Sequence, residues 1–106
     1  MSRPLAEREW QAEVVALARE LGWLVHHSTD ARRDVGAGFP DLVLVHPARR
    51  RVLYAELKTE HGVCTAEQGR WLAALENAGQ PTFIWRPSDR EYVLVVLAGQ
   101  YDTAKP

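Results

Sequence analysis

Cysteine is almost absent, and Cys64 stands alone among 106 residues. A single thiol excludes an internal disulfide, offers no cysteine-based zinc site, and suits a reducing compartment. Long apolar runs are also missing. No stretch approaches the ~20 residues of a membrane span. Met1-Ser2-Arg3-Pro4 lacks the apolar core of a secretory signal, so a cytoplasmic protein is expected. Nor does one sign of charge dominate. Thirteen Lys and Arg against fourteen Asp and Glu give −1, which speaks against a nonspecific nucleic-acid coat. It does not exclude an enzyme of nucleic acids, because metal ligands are themselves acidic and bound cations offset them. Internal repeats, linkers and low-complexity segments are absent too, so residues 1–106 are expected to form one domain.

What remains is an ordinary globular mixture, 46% hydrophobic and 25% charged. A chain of this size buries roughly 60 to 68% of its unfolded surface, enough for a core without disulfides. The basic residues are clustered, at Arg32-Arg33 and at Arg49-Arg50-Arg51.

Trp10, Val14, Leu17 and Leu21 recur with helical spacing and predict a helix over 4–21, stopped by Gly22. Trp23 to His27 reads as a short strand, followed by a polar loop over 28–38. Leu42 to Val45 is a continuous apolar run, as expected for a strand covered on both faces. A five-residue turn then leads to a strand over 51–58, close enough to favour antiparallel pairing. Thr65 and Gln68 fit a capping box opening a helix over 65–78, closed by Gly79, with Trp71, Leu72, Leu75 and Ala78 inward. Thr82 to Arg86 is a fourth strand. The last segment is ambiguous: Ser88 and Glu91 fit a second capping box, while Tyr92 to Leu97 is β-rich, and we read it as helix. The order α-β-β-β-α-β gives an α/β sandwich around a mixed four-stranded sheet flanked by helices.

The chemistry concentrates in two places. Gly38-Phe39-Pro40-Asp41 puts a carboxylate at the mouth of one apolar run. Fifteen residues later, Glu56-Leu57-Lys58 ends another. Side chains at i and i+2 of a strand share a face, about 6.6 Å apart, so Glu56 and Lys58 point the same way. If the two strands are neighbours, Asp41 joins them. Two carboxylates and a lysine at one sheet edge suit a divalent metal and an oriented water, the machinery of phosphodiester hydrolysis.

With a glutamate on the first helix, Pro40-Asp41 and Glu56-x-Lys58 resemble the PD-(D/E)XK nuclease superfamily. The finer pattern resembles its VRR-NUC branch: Glu9-Trp10-Gln11, Gly22-Trp23 with His26 or His27, Gly38 to Asp41, Glu56 to Lys58, Gln68 to Trp71, and Trp85 to Pro87. The resemblance spans roughly residues 7 to 90. It implies a restriction-endonuclease-like core and a free-standing Mg²⁺- or Mn²⁺-dependent endonuclease acting on DNA. Small members of the branch are similar to phage and bacterial enzymes that often work as homodimers on branched or Holliday-junction DNA. Asp41, Glu56 and the carbonyl of Leu57 are then the metal ligands, with Glu9 (or Glu13 on the same helical face) reaching in from the first helix. Lys58 orients the attacking water and steadies negative charge. Gln68 either bonds a metal-bound water, a phosphate or Lys58, or merely caps its helix with Thr65. His27 is read as buried rather than catalytic, and the tryptophans as core. Arg32, Arg33, Arg49, Arg50 and Arg51 are candidates for phosphate contact. The rival readings are a catalytically inactive nucleic-acid-binding module on the same fold, and a nuclease for RNA.

Overall fold

The first helix forms because its apolar residues line one side and its ends are closed. A computed structural model describes residues 5–28 and 36–100, so Arg32 and Arg33 lie outside the described residues. Helix α1, Glu7–Glu20, buries Trp10, Val14 and Ala18, with Leu17 and Leu21 packed partly against the same core. Ala6 at its N-cap has no side chain able to cap, and Glu9 reaches back to accept the Ala6 N–H at 2.9 Å. At the other end Gly22 takes φ +96°, letting the Gly22 and Trp23 N–H groups bond to the carbonyls of Arg19 and Ala18.

Strands β1 (Leu24–His27), β2 (Leu42–His46), β3 (Arg51–Leu57) and β4 (Thr82–Trp85) form one sheet in the order β1-β2-β3-β4. The β1–β2 and β2–β3 pairs are antiparallel, the latter as the short turn requires. Between β3 and β4 the chain crosses over through α2, Ala66–Asn77, so these two strands run parallel. Thr65 caps α2 through the expected box with Gln68. Helix α3, Arg90–Leu97, follows a 3₁₀ turn at Pro87–Asp89. No helix among the described residues is long and apolar enough to cross a membrane.

The register sorts the sheet into two faces. Leu42 and Ala55, Leu44 and Leu53, and Leu57 and Trp85 stand opposite one another. All six join Trp10, Val14, Trp23, Val93, Val96 and Leu97 in one buried cluster. This face is covered by α1 and α3, and two indoles tie it together: Trp10 Nε1 donates to the Trp85 carbonyl at 3.0 Å, and Trp23 Nε1 to the Leu97 carbonyl at 2.8 Å. The other face carries Val43, Tyr54, Glu56 and Ile84, and α2 packs on its β4 side. The result is a mixed four-stranded sheet between helices.

Three local expectations need correction. β2 is not fully covered on both faces: Leu42 and Leu44 are buried but Val43 and Val45 only half so, because α2 does not extend over them. His27 is exposed, since β1 is an edge strand and His27 is its last residue. The β-rich C-terminal segment is helical as expected, because Val93, Val96 and Leu97 share a stripe that finishes the core. Its cap is not Ser88. That hydroxyl donates to Glu60 at 2.6 Å, and Asp89 instead accepts the Arg86 N–H at 2.9 Å.

Candidate active site

Asp41 immediately precedes β2, and the Leu42–Ala55 pairing places it opposite Glu56 at the carboxyl end of β3. Its Oδ2 accepts the Leu57 N–H at 2.8 Å. Ser28 N–H donates to its carbonyl at 2.7 Å, so β1 braces the same corner. The approach to Asp41 is built by Gly38, which sits at φ +88°. A Cβ there would lie 2.7 Å from the Glu67 carbonyl carbon and 2.8 Å from the Gln68 nitrogen. Only glycine lets this loop seat directly on the first turn of α2. Trp71 Nε1 clasps it from the helix, donating to the Ala37 carbonyl at 3.1 Å. Phe39 packs edge-on against both Trp71 and Tyr54. One glycine contact and one aromatic cluster thus fix how α2 meets the β2–β3 corner.

Glu56 is 1% exposed and Lys58 9%, the two charged residues buried in the described structure. Burying a carboxylate is costly unless it is paired, and Glu56 is paired on one side only. Its Oε2 receives Gln68 Nε2 at 2.8 Å and lies 3.6 Å from Lys58 Nζ. Its Oε1 is buried with no hydrogen-bond partner among the described residues. Burial, and then the charge of Asp41, push the Glu56 pKa up from 4.5 to about 7, against the opposing pull of Lys58. An unpartnered buried carboxylate oxygen beside a second carboxylate is the arrangement a hard divalent cation would satisfy, so these residues fit such an ion.

Gln68 caps its helix as one alternative had it, and its other end bonds Glu56, a partner the sequence did not suggest. Its Oε1 accepts the Thr65 N–H at 2.8 Å while its nitrogen serves Glu56. The cap therefore dictates which end of the amide faces the carboxylate.

The remaining expected residues are placed elsewhere. Glu9 is exposed and engaged at the start of its own helix, and Glu13 pairs with Arg90. Among the described residues no group of three or more His, Cys, Asp or Glu side chains is placed to hold a metal, so Glu9 does not join Asp41 and Glu56. His26 and His27 are both exposed. Arg49 donates through Nη2 to the Leu97 carbonyl at 2.6 Å and lies over the Trp23 ring at 5.2 Å. Arg50 and Arg51 line a groove of about 640 Å³ with Gln80, Thr82 and Tyr92. That groove opens at the start of β3, roughly 17 Å along the strand from Glu56. One residue that the pattern of acids and lysine did not single out is Arg86, which the parallel register brings abreast of Lys58. Strand parity, with Trp85 inward, is the signal that points to it.

Comparison with known proteins agrees with this fold. A solved structure described as a VRR_NUC domain protein superposes with a TM-score of 0.69 at 24% identity, covering 94% of this chain and 90% of that one. At this identity the likeness is one of fold. No curated protein matches the sequence. The family model for the VRR-NUC domain matches residues 6–89 and so takes in α1, the whole sheet, and the corner that joins Asp41, Glu56, Lys58 and Gln68. This chain belongs to the VRR-NUC domain family.

Proposed function

We propose that this protein is a divalent-metal-dependent endodeoxyribonuclease that hydrolyses phosphodiester bonds at the Asp41–Glu56–Lys58 corner. The observation that carries the reading is Glu56: a buried carboxyl group beside Asp41, one of whose oxygens has no hydrogen-bond partner among the described residues. Asp41, Glu56 and the Leu57 carbonyl would hold Mg²⁺ or Mn²⁺. Bound there, such an ion supplies Lewis-acid polarisation of the phosphate and acidification of water.

The chain's own residues do the rest. Gln68 holds Glu56 Oε2 and so leaves Oε1 for the ion, while the Leu57 N–H holds Asp41. The Lys58 ammonium, kept beside Glu56, orients the attacking water and offsets negative charge that builds on the phosphate. Its charge is worth more in this largely buried position than it would be in water. Branched or four-way-junction DNA, cut by a homodimer, is the more specific substrate and assembly we assign, on the ground of family membership.

The test is direct. Purified protein is incubated with Mg²⁺ or Mn²⁺ and linear, flapped, four-way and single-stranded DNA, alongside RNA of matched sequence. Cleavage of DNA that stops in excess EDTA, and in Asp41→Ala or Lys58→Ala, is expected. Binding without cleavage under any metal would instead favour a catalytically inactive nucleic-acid-binding module.

A further inference from the structure

Three buried side-chain atoms lack a hydrogen-bond partner among the described residues: Glu56 Oε1, Trp85 Nε1 and Arg86 Nη1. All three belong to the carboxyl ends of two adjacent parallel strands. The pocket proposed above accounts for Glu56, and Trp85 faces the core with Leu57. Arg86 has no such account. A guanidinium is charged at every accessible pH and carries five N–H donors, and a buried donor left unpaired pays its full desolvation. The nearby acid Glu60, held low chiefly by the Ser88 hydroxyl and least by Arg86, is already engaged by the Ser88 N–H at 3.0 Å and the Ser88 hydroxyl at 2.6 Å.

Position supplies the second part of the argument. Glu56 pairs with Ile84 and Leu57 with Trp85. The Lys58 N–H continues this ladder to the Trp85 carbonyl at 3.0 Å. Arg86 keeps an extended backbone at φ −114° and ψ 162°. It therefore stands abreast of Lys58, about 4.8 Å away across the strands, on the face that carries Glu56. Pro87 and the Asp89 bond to the Arg86 N–H fix its backbone there. The end of the sheet thus presents a row: Asp41 from β2, Glu56 and Lys58 from β3, Arg86 from β4.

We infer that Arg86 is a phosphate-binding residue of this site, gripping the DNA backbone phosphate next to the one that is cut. A planar guanidinium suits a phosphate through paired, charge-assisted bonds, whereas an ammonium acts as a point charge. Its offset from Lys58 by one strand directs it to the neighbouring phosphate rather than the scissile one. The inference rests on the nuclease reading for its catalytic consequence but not for its DNA contact.

The experiment couples the residue to the phosphate. DNA substrates carrying a single neutral methylphosphonate at successive positions around the cut are cleaved by wild type, Arg86→Lys and Arg86→Met, each variant first checked for an unchanged melting profile. Neutralising one flanking phosphate is expected to slow wild type about 10-fold or more. Arg86→Met should lose a similar factor on unmodified DNA and show no further loss on that substrate, a non-additivity that marks direct contact. Arg86→Lys should fall between. Equal methylphosphonate effects in wild type and Arg86→Met, or wild-type cleavage by the variant, would overturn the inference. If Arg86→Met fails to fold, a wild-type scan with no sensitive flanking phosphate overturns it. Should wild type cleave nothing, the nuclease reading falls separately. DNA binding in EDTA over a salt series then decides: the Met variant should lose about one unit of salt slope, and an unchanged slope sinks the contact.

Discussion

Gln68 Nε2 donates to one oxygen of the Glu56 carboxylate at 2.8 Å, while the other oxygen is buried and accepts nothing among the described residues. The asymmetry comes from the cap of α2. The Thr65 N–H occupies the Gln68 carbonyl, so only the amide nitrogen can face the acid. A structural device at a helix N-terminus is thereby also the device that aims the acid.

Gln68→Ala should therefore act on rate more than on folding. Losing half of the capping box costs about 1 kcal/mol. Cleavage is expected to drop 10- to 100-fold in kcat, with KM little changed, because the amide that fixes Glu56 Oε2 is then gone. Gln68→Glu should be worse, since it sets a third carboxylate against Glu56 and Asp41. Steady-state kinetics beside thermal melts check both, and a KM-only effect would remove Gln68 from the positioning role.

The raised Glu56 pKa makes metal-free stability depend on pH. The unfolded chain releases this proton near 4.5 and the folded one near 7, first because of burial and second because of Asp41. Between those values the folded state holds the extra proton, so stability falls as pH rises through the window and levels off above about 7. Glu60, held low by the Ser88 hydroxyl, acts with the opposite sign and below 4.5, outside that window. Melts in EDTA from pH 5 to 8 should show the decline, and Glu56→Gln should flatten it. Identical pH profiles for the two proteins would contradict the assignment.

A cation needs the ionised form and competes with that proton, so stabilisation by Mg²⁺ or Mn²⁺ should grow from pH 5 to pH 8. Asp41→Asn keeps an acceptor for the Leu57 N–H but removes the second charge, and should abolish this metal-dependent shift while the protein still folds. Calorimetric titration with Mn²⁺ gives an independent reading. Undiminished binding to the Asn variant would exclude Asp41 as a ligand.

Gly38→Ala tests how the corner is assembled. The substitution meets both a positive φ and backbone atoms of α2 at under 3 Å. A loss of roughly 1–3 kcal/mol is expected from the strained backbone alone, with activity falling further as Gln68 moves away from Glu56. Gly36, also at positive φ but with nothing within 4 Å of a Cβ, should cost less activity when changed to Ala. Equal activity losses at the two positions would show that seating on α2 is not what matters.

The parts of the site that could be read from the chain are those set by local periodicity. Glu56 and Lys58 share a face because strands alternate, and Asp41 meets them because a short turn makes β2 and β3 antiparallel neighbours. Thr65 and Gln68 announced their helix by spacing. What escaped was set by competition between distant groups. Glu9 looked free to reach the acids, but an alanine at the N-cap leaves the Ala6 N–H to it. His27 has the parity of a core residue yet sits at the end of an edge strand. Arg86 needed the parallel β3–β4 register, and that follows only once the crossover through α2 is known.

Arg49 offers the sharpest separation between a structural and a substrate role. It stood among the arginines expected to contact DNA, but its guanidinium donates to the last carbonyl of α3 and lies over the Trp23 ring, itself bonded to the same carbonyl. A cation at a helix C-terminus is stabilising, and the stacking adds about 0.5–1 kcal/mol. Arg49→Ala should therefore lower stability by about 1–3 kcal/mol, since a charge-assisted bond is lost as well. DNA affinity and cleavage, measured well below the melting temperature, should stay within about twofold of wild type. The exposed neighbour Arg50 provides the control, because Arg50→Ala touches neither the α3 carbonyl nor the indole. If Arg49→Ala instead weakens DNA binding with an unchanged melt, the residue serves the substrate and its contact with α3 is incidental.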